Sequence, residues 1–302
     1  MKKNKIKDTG LEVTELSFGT SSLGSMPDTY GYEVPEQRAQ ETLKRFFQGP
    51  VNMLDTSRNY AMGESEKRIG IAIKENGGWP DNFILSTKID RNMETLVLDK
   101  KRTRESIEES LKTLNVDSVD ILFLHDPEYV KDVNDVTKKD GALDELFKIK
   151  EEGLAKAVGL AMGKINIMFP ILKNWDFDVI INHNRYTLLN READEMYSYA
   201  HSKNISIFNA APYAGGVLAK GPSNFKKITY QDVTEEKLAP AREIEKVCKK
   251  YNVEMGAAAL QFSMKDKRIT STLCGVTSVQ SIEKNLSWAQ TCLLYTSPSP
   301  RD

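Results

Sequence analysis

The sequence predicts an α/β fold, a (β/α)8 TIM barrel in a single domain. Two observations carry that expectation. Eight short runs rich in Val, Ile, Leu and Phe alternate with segments whose apolar residues recur at three- and four-residue steps. Parallel strands need a crossover between them, most often a helix, and eight strand-helix alternations close most simply into a barrel. The length of 302 residues fits one such unit, since these barrels run to ~250 residues or more.

The elements follow in order. KIKDTGLEVTEL pairs short strands as a cap over the bottom of the barrel, and LSFGTS is the first barrel strand. PEQRAQETLKRFFQ begins a helix at Pro35, where proline suits an early helical position. VNMLD precedes ESEKRIGIAIKEN, whose Ile69, Ala72 and Ile73 share a helical face. FILSTK precedes RESIEESLKTLN, with Ile107, Leu111 and Leu114 in register. VDILFLH precedes GALDELFKIKEEG, which Gly153 stops. LAKAVGLA, VIINHN, ISIFNAA and ITSTLCGV complete the strands, each with a helical pattern after it. The stretch 220–234, KGPSNFKKITYQDVT, is long for a connection before a helix from Glu236, and such a loop on the active face folds over a ligand. PDTYGYEVP at 27–35 is expected to be another wall of the same pocket. Residues 1–290 are expected to form the barrel, and 291–302, ending TSPSPRD, a disordered and non-native tail.

Composition narrows the function. The chain carries 42 basic and 43 acidic residues, which argues against a nucleic-acid surface and for a small-molecule partner. Cys248, Cys274 and Cys292 are odd in number and widely spaced, as in a reducing compartment. The amino terminus lacks a signal-peptide core, and no apolar run reaches about 18 residues. A soluble, cytoplasmic protein is expected. GTSSLGS at 19–25 has Ser25 where a phosphate loop requires lysine. His125, His183 and His201 lack metal-ligand spacing, so no metal site is expected, and His183 and His201 read as structural.

Four polar residues stand at or just beyond the ends of apolar runs. Asp55 closes VNMLD, Tyr60 follows in TSRNY, Lys88 closes FILSTK and His125 closes VDILFLH. Catalytic groups of barrels occupy the carboxyl ends of strands. Each residue alone has an ordinary explanation, as a cap, a loop aromatic, a solvated strand end or a satisfied core histidine. Together they form a coherent set. A nearby ammonium lowers the pKa of a phenol, a carboxylate holds that ammonium in place, and an imidazole orients a carbonyl oxygen and stabilises charge on it. None of the four supplies a hydride, so a nicotinamide cofactor is required.

At LSFGTSSLG (16–24), NMLDTSRNYAMGESEKRIG (52–70), LSTK (85–88) and LFLHDPE (122–128) the sequence resembles the aldo-keto reductases. The resemblance spans roughly residues 6 to 290 and implies that Asp55, Tyr60, Lys88 and His125 are the catalytic tetrad. GLAMGK (159–164), NRYTLLN (184–190) and APYAGGVLA (211–219) are similar to the sugar-oxidising branch, of the aldose 1-dehydrogenase or L-fucose dehydrogenase kind. The implied activity moves a hydride between NAD or NADP and C1 of an aldose or related sugar. A general aldehyde or ketone reductase and a non-catalytic nucleotide-binding barrel are the alternatives, and the oligomeric state is left open. Implied cofactor contacts are Gly19, Thr20, Asp55, Ala161, Met162, Tyr213, Gly275, Thr277, Ser278 and Asn285, with Tyr186 a second candidate to stack on the nicotinamide. Substrate walls fall at Tyr30, Tyr32, Asn184 and Arg185, with Asp28 beside them. Many family members have Ser-Asn where this chain has Ala161 and Met162. The stretch GVTSVQSIE (275–283) has no basic residue and carries Thr277 about where the branch often has arginine, so NAD is expected to serve at least as well as NADP. The family usually continues beyond this carboxyl end, which implies that native sequence is missing there.

Overall fold

All eight expected strands are present, and they close. The computed structural model describes residues 1–293. The barrel strands are β1 (Leu16–Gly19), β2 (Met53–Asp55), β3 (Ile84–Ile89), β4 (Val119–His125), β5 (Ala155–Met162), β6 (Val179–His183), β7 (Ser206–Ala210) and β8 (Ser271–Gly275). All neighbours are parallel, and β8 pairs with both β7 and β1. Register aligns the strand ends that matter, with Gly275 opposite Gly19, Gly19 opposite Asp55 and Asp55 opposite Ser86.

Alternation along each strand decides what faces inward. Met53, Ile84, Ile121, Phe123, Ala157, Val179, Ile181, Phe208 and Leu273 fill the barrel interior. The antiparallel pair Lys3–Lys5 and Glu12–Thr14 closes the bottom, with Ile6 and Val13 buried against that interior. Residues of opposite phase, such as Phe18, Leu54, Leu122 and Leu160, pack outward under the helices.

The longer helices are α1 (Glu36–Phe47), α2 (Glu64–Glu75), α3 (Lys100–Leu114), α4 (Ala142–Glu151), α5 (Ile165–Asn174), α6 (Asp194–Ser202), α7 (Glu235–Lys250), α8 (Met255–Met264) and α9 (Val279–Gln290). Two differences from expectation have local causes. α3 starts four residues before the RESIEE run, because Asp99 accepts a hydrogen bond from the Arg102 amide and caps it. Two long helices, not one, separate β7 from β8 beyond the short turn of helix Val217–Lys220, and the Ala- and Met-rich α8 is the buried one. The long 220–234 segment is not a plain loop. It holds a small hairpin, Lys227–Ile228 with Gln231–Asp232, turned by Thr229 and Tyr230, which both have positive φ (50° and 68°), the pattern of a tight primed turn.

Among the described residues no helix is long and apolar enough to cross a membrane. The expected tail at 291–302 lies, after Leu293, outside the described residues.

Candidate active site

Inward phase at three successive strand ends brings the tetrad together. Asp55 is in phase with Met53, Lys88 with Ile84, and His125 with Phe123. Tyr60 arrives from the loop after β2. Lys88 and Asp55 are each 2% exposed at the side chain, and their ion pair spans 2.7 Å. The Lys88 ammonium also donates to the Thr56 carbonyl (2.6 Å) and to the Tyr60 hydroxyl (3.1 Å). Ser86 donates to the other Asp55 oxygen at 2.7 Å, so neither partner of this buried pair is left unsatisfied.

The phenol does not behave as the sequence leads one to expect. Burial, followed by the Asp55 carboxylate, holds Tyr60 well above the ordinary tyrosine value. Asp55 absorbs much of the Lys88 charge, so in this geometry Tyr60 is a neutral acid and its pKa is not lowered.

His125 has a partner that the sequence reading missed. Its Nδ1 lies 2.7 Å from Oδ1 of Asp90, one residue past β3 and 1% exposed. Ser57 and the Asn59 amide donate to the other Asp90 oxygen. This bond fixes the ring and leaves Nε2 facing the cavity. Burial acts to lower the His125 pKa, but the carboxylates of Asp126 and Asp90 outweigh burial and the Lys88 charge, and the value is raised. Tyr60 and His125 meet edge to face with ring centroids 5.8 Å apart. A carbonyl oxygen between them can accept a hydrogen bond from each.

The tetrad forms one end of a cavity of about 590 Å³, within the usual size range of small-molecule pockets. Gly19, Tyr30, Tyr32, Ala161, Tyr213, Gly275, Thr277 and Asn285 line it as expected. Tyr30 bonds Ser21 through its hydroxyl (2.6 Å) and meets Tyr230 of the hairpin edge-on. Tyr213 donates to Asn285 at 2.5 Å and packs on Trp288, tying the loop after β7 to α9.

Other expected contacts do not reach the cavity. Thr20 and Met162 have the outward strand phase and are fully buried. Thr20 donates to the Asp55 carbonyl, and Met162 packs in the outer layer. Ser278 caps α9 by accepting from the Ser281 amide, and Ser281 lines the cavity in its place. Asn184 is buried against His183, and Arg185 pairs with Glu192. Tyr186 lies in the outer layer, donating to Asp266 and packed on Phe262, while Asp28 is exposed. His183, read as structural, instead lines the cavity beside Asp126, and with Glu128 they offer ligand atoms within 4.8 Å of one another. Strand spacing hides that group because its members belong to different strand ends.

The aldo/keto reductase family model matches residues 15–296. The chain belongs to that family. L-galactose dehydrogenase of Arabidopsis thaliana is 31% identical over 292 residues, covering 93% of this chain and 85% of its own length. D-threo-aldose 1-dehydrogenase of Pseudomonas sp is 26% identical over 306 residues, covering 93% and 90%. A solved aldo-keto reductase from Bacillus halodurans, in its holo form, shares the fold with a TM-score of 0.77 at 22% identity, over 97% of this chain and 92% of that one. This aldo-keto reductase is therefore an oxidoreductase of the (β/α)8 type.

Its cavity suits a dinucleotide. Beyond the tetrad the cavity reaches Gly275, where an added Cβ would meet nothing within 4 Å, then Thr277, Ser281 and Asn285 at the start of α9. Lys220 lines the wall, with its ammonium over the Tyr32 and Phe225 rings, 5.2 and 4.3 Å from their centroids. The Lys284 charge is engaged by Glu254 at 2.5 Å.

Proposed function

We propose that this chain is an NAD(P)-dependent dehydrogenase moving a hydride between nicotinamide and C1 of an aldose or related sugar, with Tyr60 as general acid and base. The observation that carries it is the Lys88 ammonium held between Asp55 and the Tyr60 hydroxyl at the end of a cavity that Asp126 and His183 also line. When bound, oxidised nicotinamide would supply the hydride acceptor. Tyr60 then exchanges the proton of the C1 oxygen, Lys88 tunes that exchange, and the His125 Nε2 orients the oxygen. Two sugar dehydrogenases among the relatives support this substrate class.

Carbonyl reduction is a second reading, favoured by one observation. A Tyr60 phenol held above its ordinary value is a proton donor before it is an acceptor. NAD is proposed over NADP, because residues 275–283 carry no basic side chain and the Lys284 ammonium, which also lines the α9 end of the cavity, is held by Glu254. We also propose that residues 1–290 act as one catalytic unit in the cytoplasm, with Cys248, Cys274 and Cys292 as free thiols.

A panel of hexoses, 6-deoxyhexoses and aromatic aldehydes, assayed in both directions with NAD and NADP, tests the reading. Sugars should be oxidised with higher kcat/KM than aromatic aldehydes are reduced. The reverse ranking makes the protein a general reductase, and cofactor binding without turnover makes it a non-catalytic barrel.

A further inference from the structure

The substrate end of the cavity holds a carboxylate that the tetrad does not use. Asp126 directly follows β4 with φ of 46°, in the left-handed region that Asp tolerates better than most residues. It lines the cavity with its side chain 21% exposed. Oδ2 lies 3.7 Å from His125 Nε2 and Oδ1 lies 3.8 Å from His183 Nε2. Both are too long for hydrogen bonds, and Oδ1 is shielded from solvent without a partner. The nearby walls at Ala161 and Ile181 offer no donor. Burial would raise the Asp126 pKa, yet His125 and His183 bring it down to about 2, so the group is ionised. Oδ2, on the His125 side, accepts no hydrogen bond within 3.5 Å from the described residues and is left to take one from a ligand.

We propose that Asp126 Oδ2 accepts the hydroxyl on the carbon next to the one oxidised, and so selects sugars with a free C2 hydroxyl. The inference rests on the sugar reading above and names the part of the sugar that is read. A reacting oxygen bound to Tyr60 and His125 sits one hydrogen bond from the imidazole Nε2. Vicinal oxygens in a gauche diol are themselves about one hydrogen-bond length apart. The neighbouring hydroxyl therefore falls within reach of a carboxylate oxygen placed 3.7 Å from that Nε2. A divalent cation between Asp126, Glu128 and His183 is the rival occupant. Glu128 Oε1 accepts from the Gly163 and Lys164 amides at 2.9 and 3.2 Å while its Oε2 has no partner, so the chelator arm of the test separates the two occupants.

The test compares kcat/KM for an oxidised hexose and its 2-deoxy analogue, in wild type and Asp126→Asn, across several pH values and with a parallel chelator-treated sample. Wild type should prefer the hexose by about 10- to 150-fold, the span of one hydrogen bond to a charged group. Asp126→Asn should bring the two substrates within a few fold. Asp126 also bears on the His125 charge, but that effect moves both substrates together and leaves their ratio unchanged. The wild-type ratio needs no variant, so a misfolded Asp126→Asn protein leaves the proposal testable. Equal rates on the two sugars in wild type, or an unchanged ratio in the variant, overturn the role of Asp126 while sugar oxidation stands. Activity lost to chelator and restored by a divalent metal overturns it in favour of a cation. A wild type that oxidises neither sugar overturns the reading beneath it.

Discussion

Tyr60 and Lys88 divide the work of a proton transfer between a buried acid and a buried charge. Removing the Tyr60 hydroxyl leaves the Lys88–Asp55 pair intact at 2.7 Å, so Tyr60→Phe should fold and bind cofactor normally. Its turnover should fall by more than ~100-fold. Near wild-type turnover in that variant, with the fold confirmed by circular dichroism, would remove Tyr60 from the chemistry. His125 makes a second prediction. Asp90 and Asp126 raise its pKa, while burial and Lys88 oppose them. A raised histidine keeps its proton below the raised value and loses it as pH rises through that value. Carbonyl reduction that uses the imidazolium as donor should therefore fall on the alkaline side of the kcat/KM profile. Asp90→Asn should move that limb to lower pH, whereas a residue that only supports packing would lower the rate without moving the limb.

At the scale of elements, the α2–β3 contact carries an unusual group. Glu66 on α2 is fully buried, accepts from Thr87 of β3 at 2.5 Å and has no partner for Oε2. Burial raises its pKa to about 7, against the Thr87 bond, the nearby Ser110 hydroxyl and the Arg58 charge. Between about 4.5 and about 7 the folded chain binds more protons than the unfolded one, so this contribution to stability is full below that window and lost as pH rises through it. Glu66→Gln should consequently gain on wild type between pH 5 and pH 8, by about 2 kcal/mol. Thermal melts at the two pH values measure it, and a pH-independent difference would refute it. The hairpin over the cavity makes a further prediction. Gly215 has φ of 78°, and a Cβ there would lie 2.8 Å from the Tyr230 amide. Gly215→Ala should displace the hairpin, giving faster proteolysis between 220 and 234 and a weaker cofactor Kd by about tenfold. Unchanged cleavage and Kd would show that the hairpin does not cover the cofactor.

Across the whole molecule, one cavity joins the tetrad to the start of α9, and its far end bears on cofactor choice. Glu254 occupies the Lys284 ammonium there. NAD should be used at least as efficiently as NADP, and Thr277→Arg should shift the kcat/KM ratio towards NADP by about tenfold or more. A strong NADP preference in wild type would show that the α9 end is misread while the tetrad stands. The barrel itself was legible because its signal is periodic and local. Apolar runs and helical steps recur eight times, and hydrophobic burial acts on that recurrence directly. The tetrad was legible for a related reason, since its members stand at or just beyond strand ends in chain order.

What the sequence alone determined is the set of elements, their order and the residue types at the mouth of the barrel. Tertiary structure decided which of those residues face one another. Strand phase turned Thr20 and Met162 away from the cavity although their neighbours Gly19 and Ala161 line it. Closure placed Asp90 of the β3 end against His125 of the β4 end, and Asp126 against His183 across two more strands. Burial, which no local pattern reports, raised the Tyr60 pKa where a neighbouring ammonium alone would have lowered it. Such pairings depend on register and on the dielectric around a group, and both exist only after the barrel has closed.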